Sequence, residues 1–377
     1  MKSRNAPMTQ DEHQKKTRGK GRGSNFFAAS EGVWDQLWKI PTANRLNLVA
    51  CYLVLLAGTG SDHRLTKWSA KACEQYVGIG KPRAKVAIEE LIAAGLVKRM
   101  NESERLKPQY EMPALPLAEE PIFLPVAFVT GLSGEASILR RIRETGDALA
   151  LRMVVDLYKL TVLDPTYGVS LNCFRGGLKT GGEANARKLA EVGAHTVWGL
   201  NQGTYRSAGG NWTSVHRINS KDAEVAWEPF WSRLNLLKQI GAVWFEPWVF
   251  DSQEIDAEPL FPLDSSGFYQ LAEPEGEAKL TALAYNTCRA LVSEDRGYIF
   301  DNASCDYYLP LTAHRQAPAY REVLRLRVEA DTPGRRLAWY KRRTAIEKFT
   351  VGYQKLLLDI EQGNFDRPLN LTNAEAA

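Results

Sequence analysis

The sequence has few of the residues that mark a secreted, metal-binding or membrane-spanning protein. It contains five cysteines in 377 residues, and no two of them form a CxxC pair. We therefore expect reduced thiols, and neither a disulfide framework nor a zinc site. The longest apolar run, residues 48–58, is too short to cross a bilayer. The N-terminus has no apolar signal core, so we expect a cytoplasmic protein without a membrane partner.

Several motifs of well-known enzyme classes are also missing. The sequence has no Walker phosphate loop, HExxH, GxSxG or GxGxxG, and histidine occurs only five times. One cluster could be drawn as a metal or tyrosine nuclease site, and its members are Asp301, Cys305, Asp306, Tyr308 and His314. Their mixed spacing along predicted strands gives no metal-ligand geometry, so we predict a structural role for them. We expect neither an enzyme nor a bound cofactor.

Positive charge is concentrated at the N-terminus. Residues 1–24 hold seven basic and two acidic residues, whereas the remainder holds 41 and 42, which together give the formal net charge of +4. We expect residues 1–25 to form a disordered basic arm, because they have little apolar surface to bury. Such an arm either holds nucleic-acid phosphates without reading sequence or is a solvated tail.

Residues 26–112 have the pattern of a small helical domain with a β-ribbon. The stretch "TANRLNLVACYLVLLAG" carries one apolar stripe of helical period and predicts a helix. Ser69 is a good N-cap for a second helix that ends at Gly78, and Pro82 suits the first position of a third. Two strands are predicted around the polar loop "NESER". The predicted order is helix, short strand, helix, tight turn, helix and β-ribbon.

This order resembles that of the bacterial winged helix-turn-helix regulators. Residues 69–100, "SAKACEQYVGIGKPRAKVAIEELIAAGLVKRM", have the Gly in the turn, the basic start of the next helix and the "GLV" before the wing that are typical of this superfamily. The match covers about 60 of the 377 residues. Two features depart from the pattern. The turn reads "GIGK" where a small polar cap is usual, and Pro82 replaces a residue that offers a hydroxyl in many relatives.

The resemblance implies that the helix after the turn enters the major groove of double-stranded DNA. Arg83 is the first candidate for reading a base, since a bidentate Arg–guanine pair gives about 1–3 kcal/mol of discrimination. Lys81 and Lys85 are expected to bind phosphate, and the basic residues of the wing are expected to clamp the flanking backbone. The candidate DNA contacts are Ser69, Lys71, Lys81, Arg83, Lys85, Lys98, Arg99, Arg105 and Lys107.

The rest of the chain predicts a linker and two further regions. Residues 113–133 contain four Pro and predict a linker with extended pieces. Residues 134–252 are predicted as a second winged-helix-like domain, because "LLKQIGAVWF" is a fainter copy of "LIAAGLVKRM". Residues 253–377 are predicted as an α/β region that ends in a long helix. The fold class is therefore predicted as α+β, mainly α, with an N-terminal winged helix-turn-helix.

Individual segments of this half carry their own predictions. "EANARKLAEVG" predicts a short helix, and "HTVWGL" and "WTSVHRI" predict a hairpin. The four Trp at positions 227, 231, 244 and 248 are expected in a core or a protein interface. The long C-terminal helix is basic in its first half and apolar in its second, so it could reach phosphates at one end and pack or form a homodimer at the other.

Three functions from different classes fit these features. The first is a sequence-specific double-stranded DNA-binding protein, most simply a transcriptional regulator. The second is a plasmid- or phage-type replication initiator, since such proteins often carry tandem winged helices and a basic arm. The third is a protein–protein adaptor whose winged helix has lost DNA contact. Salt dependence separates the third, since a binder that uses about five phosphates should give a log–log slope near roughly −4 to −5.

Overall fold

The structure is a computed structural model of the chain. It describes residues 25–100, 108–118, 120–161, 166, 168–170, 186–201, 214–254, 256–264, 274–292, 296–312, 315–365 and 369–371. Within these ranges the protein is a mixed α+β protein, as predicted. Helices that are both long and apolar enough to span a bilayer do not occur there. Apart from Asn25, the predicted basic arm lies outside the described residues.

The chain divides into two compact units, residues 1–148 and residues 149–377. This division differs from the predicted domain boundaries after residues 112, 133 and 252. The first unit takes in the whole of the predicted linker, and the second unit crosses the boundary predicted at residue 252.

The first unit is made of short helices and short antiparallel strands. Its helices are α1 (Glu31–Lys39), α2 (Arg45–Ala57), α3 (Ala70–Ala72, continued by the π-helical segment Cys73–Val77), α4 (Lys81–Ala93), α5 (Ala127–Thr130) and α6 (Ile138–Thr145). Its strands are β1 (Phe26–Ala29), β2 (Leu65–Thr66), β3 (Lys98–Arg99), β4 (Tyr110–Glu111) and β5 (Ile122–Pro125). From α2 to β4 the elements follow the order that the sequence predicts.

A three-stranded sheet connects the two ends of the segment that carries α3 and α4. Strand β4 lies between β2 and β3 and pairs antiparallel with both. Tyr110 is opposite Thr66 on one side and Arg99 on the other. Because β2 precedes α3 and β3 follows α4, the sheet holds the entry and the exit of the two-helix segment together.

Helix α2 is the centre of the first unit. Every residue from Leu48 to Ala57 is buried, so the single apolar stripe predicted for this helix is wrong. A helix that is apolar all round lies inside a core and not on its surface. Helix α4 packs against α2 with one face only, on which Ala84, Ala87, Ile88 and Leu91 are buried.

Residues 113–133, predicted as a linker, are part of the first unit. Strand β5 pairs antiparallel with β1 over four residues, from Phe26 opposite Pro125 to Ala29 opposite Ile122. Phe128 and Val129 of α5 are also buried. Prolines at the ends of β5 do not prevent this pairing, because an edge strand of a two-stranded sheet leaves one row of N–H groups unused.

Helix α6 belongs to the same unit, although the sequence assigns it to a second domain. The Ser137 hydroxyl donates a 3.2 Å hydrogen bond to the Tyr76 carbonyl, and Arg143 Nε donates a 2.7 Å bond to the Val77 carbonyl. These carbonyls lie at the C-terminal end of α3, where helical partners run out. Helix α6 therefore caps the helix that precedes the turn.

The second unit combines longer helices with two antiparallel sheets. Its helices are α7 (Ala148–Lys159, which begins at the boundary), α8 (Ala223–Gln239), α9 (Pro274–Leu291), α10 (Tyr298–Ala303) and α11 (Pro333–Glu361). Its strands are β6 (Val169–Ser170), β7 (Ala186–Val192), β8 (His195–Leu200), β9 (Val243–Phe250), β10 (Pro259–Pro262), β11 (Tyr307–Thr312), β12 (Ala319–Leu326) and β13 (Leu369–Leu371). The sheet orders are β10-β9-β12-β6 and β11-β8-β7-β13.

Two segments of this unit differ in type from their prediction. The segment "EANARKLAEVG" is predicted as a helix, but its residues from Ala186 form β7, which pairs with β8 and β13. Its Ala and Lys residues favour a helix, and cross-strand pairing overrides that preference. The segment "WTSVHRI" is predicted as a strand, whereas Ser214–His216 is a 3₁₀ turn.

The described residues of 134–252 do not form a separate winged-helix-like domain. Strand β9, which the sequence places at the end of that domain, pairs over eight residues with β12 and also with β10. Both partners lie beyond residue 252. The similarity of "LLKQIGAVWF" to "LIAAGLVKRM" thus reflects a helix followed by a strand, which is a local feature that many folds share.

The apolar half of α11 is buried in its own unit. Tyr353, Leu356 and Ile360 are buried, and Tyr353 shares a hydrophobic cluster with Phe261 and Leu280. The homodimer contact predicted for this face is therefore not available from these three side chains. Of the four tryptophans expected in a core, those at 227, 244 and 248 are buried.

Candidate nucleic-acid interface

Helix α4 has one buried face and one charged, exposed face. Lys81, Arg83 and Lys85 are exposed, as the helical period predicts. Val86 is exposed over 56% of its surface and lies on the same side. The core contact of Ala84 and Ala87 fixes this orientation, because both are buried completely. The positive face of α4 thus points to solvent within its unit.

The turn before α4 needs one of its two glycines for its backbone conformation. Gly78 ends α3 in the left-handed region, with φ +73°. Gly80 is the N-cap of α4 with φ −54° and ψ 140°, which any residue can adopt. Between them, Ile79 is buried and anchors the turn in the core. Helix α4 starts at Lys81, so Pro82 takes its second position and not the predicted first.

The basic side chains of α4 lie near its N-terminus, the end at which the helix dipole repels positive charge. A helix N-terminus carries a partial positive charge, so acidic residues are favoured in the first turn and basic ones are disfavoured. The first turn of α4 has no acidic residue, and Gly80 provides no side-chain cap. Backbone N–H groups and basic side chains therefore converge where the helix itself supplies no acidic residue, which is an arrangement suited to phosphate.

Some of the candidate cations have acidic partners in the structure. Lys81 Nζ lies 3.3 Å from Glu74 Oε2 across the turn, and both side chains are about half exposed. Arg99 pairs with Glu89, and this hydrogen bond raises the pKa of Arg99. Among the described residues, the candidate side chains without an ion pair are those of Lys71, Arg83, Lys85 and Lys98.

Neither a protein-family model nor a curated protein nor a solved structure matches the chain. What the surface can bind therefore follows from its own charges and geometry.

Ser69 occupies the predicted N-cap position but does not use its hydroxyl there. It precedes α3 with an extended backbone, and its side chain makes no capping hydrogen bond. Its carbonyl accepts the N–H groups of Ala72 and Cys73 at 2.8 and 3.2 Å. The hydroxyl is therefore not committed to the start of the helix.

The β-ribbon contributes Lys98 and Arg99, which are both exposed on β3. Glu89 is the partner of Arg99, and Glu90 accepts a 2.9 Å hydrogen bond from Thr42. Both carboxylates therefore have hydrogen-bond partners within the first unit. Arg105 and Lys107 lie outside the described residues.

Two arginines beside the turn are not among the DNA contacts that the sequence predicts. At the position of a Cβ atom on Gly78, the nearest side-chain atoms would be Arg143 Nη2 at 3.3 Å and Arg140 Nε at 3.7 Å. Both come from α6, which the sequence assigns to another domain. The strongly amphipathic stretch "SILRRIRETG" indicates a packed helix, but no local signal shows where it packs. Lys67, exposed just before α3, is a further cation near this segment.

The residues considered for a catalytic cluster are held by ordinary backbone contacts. The Tyr308 hydroxyl donates to the Phe300 carbonyl at 2.8 Å and accepts the Cys305 N–H at 3.0 Å. Asp306 N–H donates to the Asn201 side chain at 3.2 Å. His314 lies outside the described residues, and within the described ones no three His, Cys, Asp or Glu side chains gather as metal ligands would.

Proposed function

We propose that residues 26–112 form a winged helix-turn-helix that binds double-stranded DNA, and that the protein is a transcriptional regulator. The observation that carries the proposal is the exposed cationic face of α4, at a helix N-terminus with no acidic residue in its first turn. Basic residues are disfavoured at a helix N-terminus, and departures from such local preferences are concentrated at functional sites. An incoming phosphate would relieve the repulsion.

The composition of the exposed face supports reading of base edges as well as phosphate binding. Arg83 has no ion-pair partner among the described residues, so its guanidinium is available for a bidentate contact with guanine. Val86 is an exposed apolar residue one turn away from Arg83, and apolar side chains contact the thymine methyl group in the major groove. Arg143 adds positive charge beside the turn, whereas Arg140 is paired with Glu144 at 2.9 Å.

The two alternative functions have less support. Tandem winged helices would favour a replication initiator, but the described residues of 134–252 share their sheets with strands beyond residue 252. A protein–protein adaptor is expected to present an apolar contact surface, whereas the exposed face of α4 is mainly cationic. Transcriptional regulation remains the simplest role for a DNA-binding unit joined to a second compact unit.

The proposal is tested by gel-shift binding of the full-length protein to DNA that flanks its own gene, with excess competitor DNA. We expect a specific shift that the combined change of Lys81, Arg83 and Lys85 to Ala abolishes. The matched control changes Lys279, Lys348 and Lys355 to Ala, since these three are exposed cations outside the basic first half of α11. A missing shift in the unmodified protein, or a shift that the α4 variant keeps, would contradict the proposal.

Single changes should separate base reading from phosphate binding. We expect Arg83→Ala to weaken specific binding by about 5- to 150-fold, because an Arg–guanine pair is worth about 1–3 kcal/mol, and to weaken non-specific binding less. Lys98→Ala should weaken both alike and reduce the salt slope by about one. Salt titrations of both variants on a specific and a random duplex give the comparison. Equal losses for both variants would remove the base-reading role from Arg83.

A further inference from the structure

A cavity in the second unit has an unusual concentration of arginine. It has a volume of about 460 Å³, which lies in the range of small-molecule sites, and it opens beside the first half of α11. Its arginines are Arg325, Arg327, Arg335, Arg336 and Arg342. Among the described residues, two acids, Glu246 and Glu329, line it with them. Arginine keeps its charge at any physiological pH, so the lining is cationic.

The floor of the cavity is a buried network of ion pairs. Glu246 is 1% exposed and accepts hydrogen bonds from Arg325 Nε at 2.8 Å and from Trp248 Nε1 at 2.7 Å. Arg342 bridges Glu246 and Glu277 and is 6% exposed. These paired groups form a fixed wall of the cavity, because breaking a buried pair leaves an uncompensated charge.

The arginines at the rim are held less firmly. Arg335 Nε lies 2.7 Å from Glu329, and Arg336 Nε lies 2.7 Å from Asp331, which is outside the lining. Their side chains are 41% and 68% exposed. The Arg336–Asp331 pair is exposed on both sides, so a ligand can take over the Arg336 guanidinium at small cost. Arg335 keeps its pair with Glu329 through Nε, since that carboxylate is only 17% exposed. Both residues lie near the N-terminus of α11, where the helix dipole also favours an anion.

Two indole rings complete the wall. Trp244 is buried in it, and Trp339 is 40% exposed. The Arg342 guanidinium lies 4.9 Å from the centre of the Trp339 ring, which orients that ring beside the arginines. A planar group can stack on an indole while its charged end meets the rim.

We propose that this cavity binds a small molecule that joins a planar ring to a phosphate group, as a nucleoside monophosphate does. The two guanidinium forks at the rim favour phosphate over carboxylate, since a phosphate has three terminal oxygens and a carboxylate has two. The indole rings select for a planar ring. All the side chains involved belong to residues 149–377, so the inference does not depend on the proposed DNA interface.

Isothermal titration calorimetry on the full-length protein tests the inference with AMP, ribose 5-phosphate and inorganic phosphate as probes. We expect AMP to bind most tightly, ribose 5-phosphate more weakly and phosphate most weakly. The double change Arg335→Gln and Arg336→Gln should weaken AMP binding about 10-fold or more, because charged hydrogen bonds are lost. Trp339→Leu should weaken AMP and leave ribose 5-phosphate unchanged. The matched control is Lys348→Gln, an exposed cation on the same helix that does not line the cavity.

Each contrary result has a definite meaning. No heat with AMP, or AMP binding that the rim variant keeps, would overturn the proposal. Equal affinity for AMP and ribose 5-phosphate would show that the cavity does not recognise a planar ring. A short DNA duplex that displaces AMP, and that loses its own binding in the rim variant, would replace the small molecule by a nucleic-acid backbone. Circular dichroism of the rim variant checks that the fold is retained.

Discussion

At the scale of single residues, the turn between α3 and α4 depends on Gly78 and not equally on both of its glycines. The left-handed conformation of Gly78 allows its N–H to bond the Glu74 carbonyl at 3.0 Å, which closes α3. Arg143 then caps the adjacent Val77 carbonyl. The angle at which α4 leaves α3, and with it the direction of Arg83, follows from this single conformation.

Replacement of Gly78 by Ala should therefore destabilise the first unit. We expect a loss of about 1–2 kcal/mol, the cost of placing an L-residue in the left-handed region. The matched control is Gly80→Ala, since Gly80 has an ordinary conformation and a Cβ atom added there would meet no other atom within 4 Å. Its effect should stay within about 0.5 kcal/mol, because the gain in chain stiffness and the weaker N-cap oppose each other. Thermal unfolding followed by circular dichroism measures both, and similar losses would contradict this account.

At the scale of elements, Glu246 joins three parts of the second unit. It lies on β9, and its partners Arg325 and Arg342 lie on β12 and α11. Burial alone would raise the pKa of Glu246, but the two arginines and the Trp248 N–H outweigh it and lower that pKa to about 2. The pKa values of Glu277 and Glu329 are instead raised by burial, which outweighs their own arginine partners.

The stability of the second unit should fall in acid through Glu246. A carboxyl with a depressed pKa stabilises the fold above its usual value near 4.5, and this stabilisation is lost as the pH falls towards 2. The shift corresponds to about 3 kcal/mol. Glu277 and Glu329 act with the opposite sign at higher pH, since their protonated forms are favoured in the fold. We expect the free energy of unfolding to decrease between pH 4.5 and 2.

Glu246→Gln tests this element directly. It should lower the free energy of unfolding at neutral pH by about 3–5 kcal/mol, because Arg325 and Arg342 lose a buried counter-charge. It should also remove most of the acid dependence below pH 4.5. Urea unfolding at several pH values measures both effects. Glu361→Gln, an exposed carboxyl on α11, is the control. If the free energy of unfolding of the Glu246→Gln variant still fell with pH in this range, other groups would account for the acid dependence.

At the scale of the whole molecule, the first unit extends well beyond the predicted domain of residues 26–112. Strand β1 has its partner in β5, and the end of α3 has its caps in α6. Both partners lie after residue 112. A fragment cut at that residue would expose the strand edge of β1 and leave the carbonyls of Tyr76 and Val77 without these donors.

The two fragments 1–112 and 1–148 should therefore behave differently. We expect fragment 1–148 to unfold cooperatively and to give the sequence-specific DNA shift of the full chain. Fragment 1–112 should lack a cooperative transition, because it loses the β5 pairing and the α6 contacts together. Urea unfolding and gel shift on both fragments give the comparison. Cooperative unfolding of fragment 1–112 with full DNA affinity would contradict this boundary.

The sequence by itself determines the features that arise within about a dozen residues. The helical period assigns Lys81, Arg83 and Lys85 to the exposed face of α4 and Ala84 and Ala87 to the buried one. Turn chemistry places a glycine turn between α3 and α4. These features are predictable because neighbouring side chains and backbone torsions decide them, whatever the rest of the chain does.

Only the tertiary structure decides which distant segments meet. It makes the Ala-rich stretch of β7 a strand through pairing with β8, and it joins β5 to β1 across about a hundred residues. It also buries Arg342 against Glu246, 96 positions away, although the sequence offers Arg342 as a surface cation. Strand pairing, and the ion pairs that compensate a buried charge, are stabilised only by contacts between remote segments. No local sequence pattern therefore predicts them.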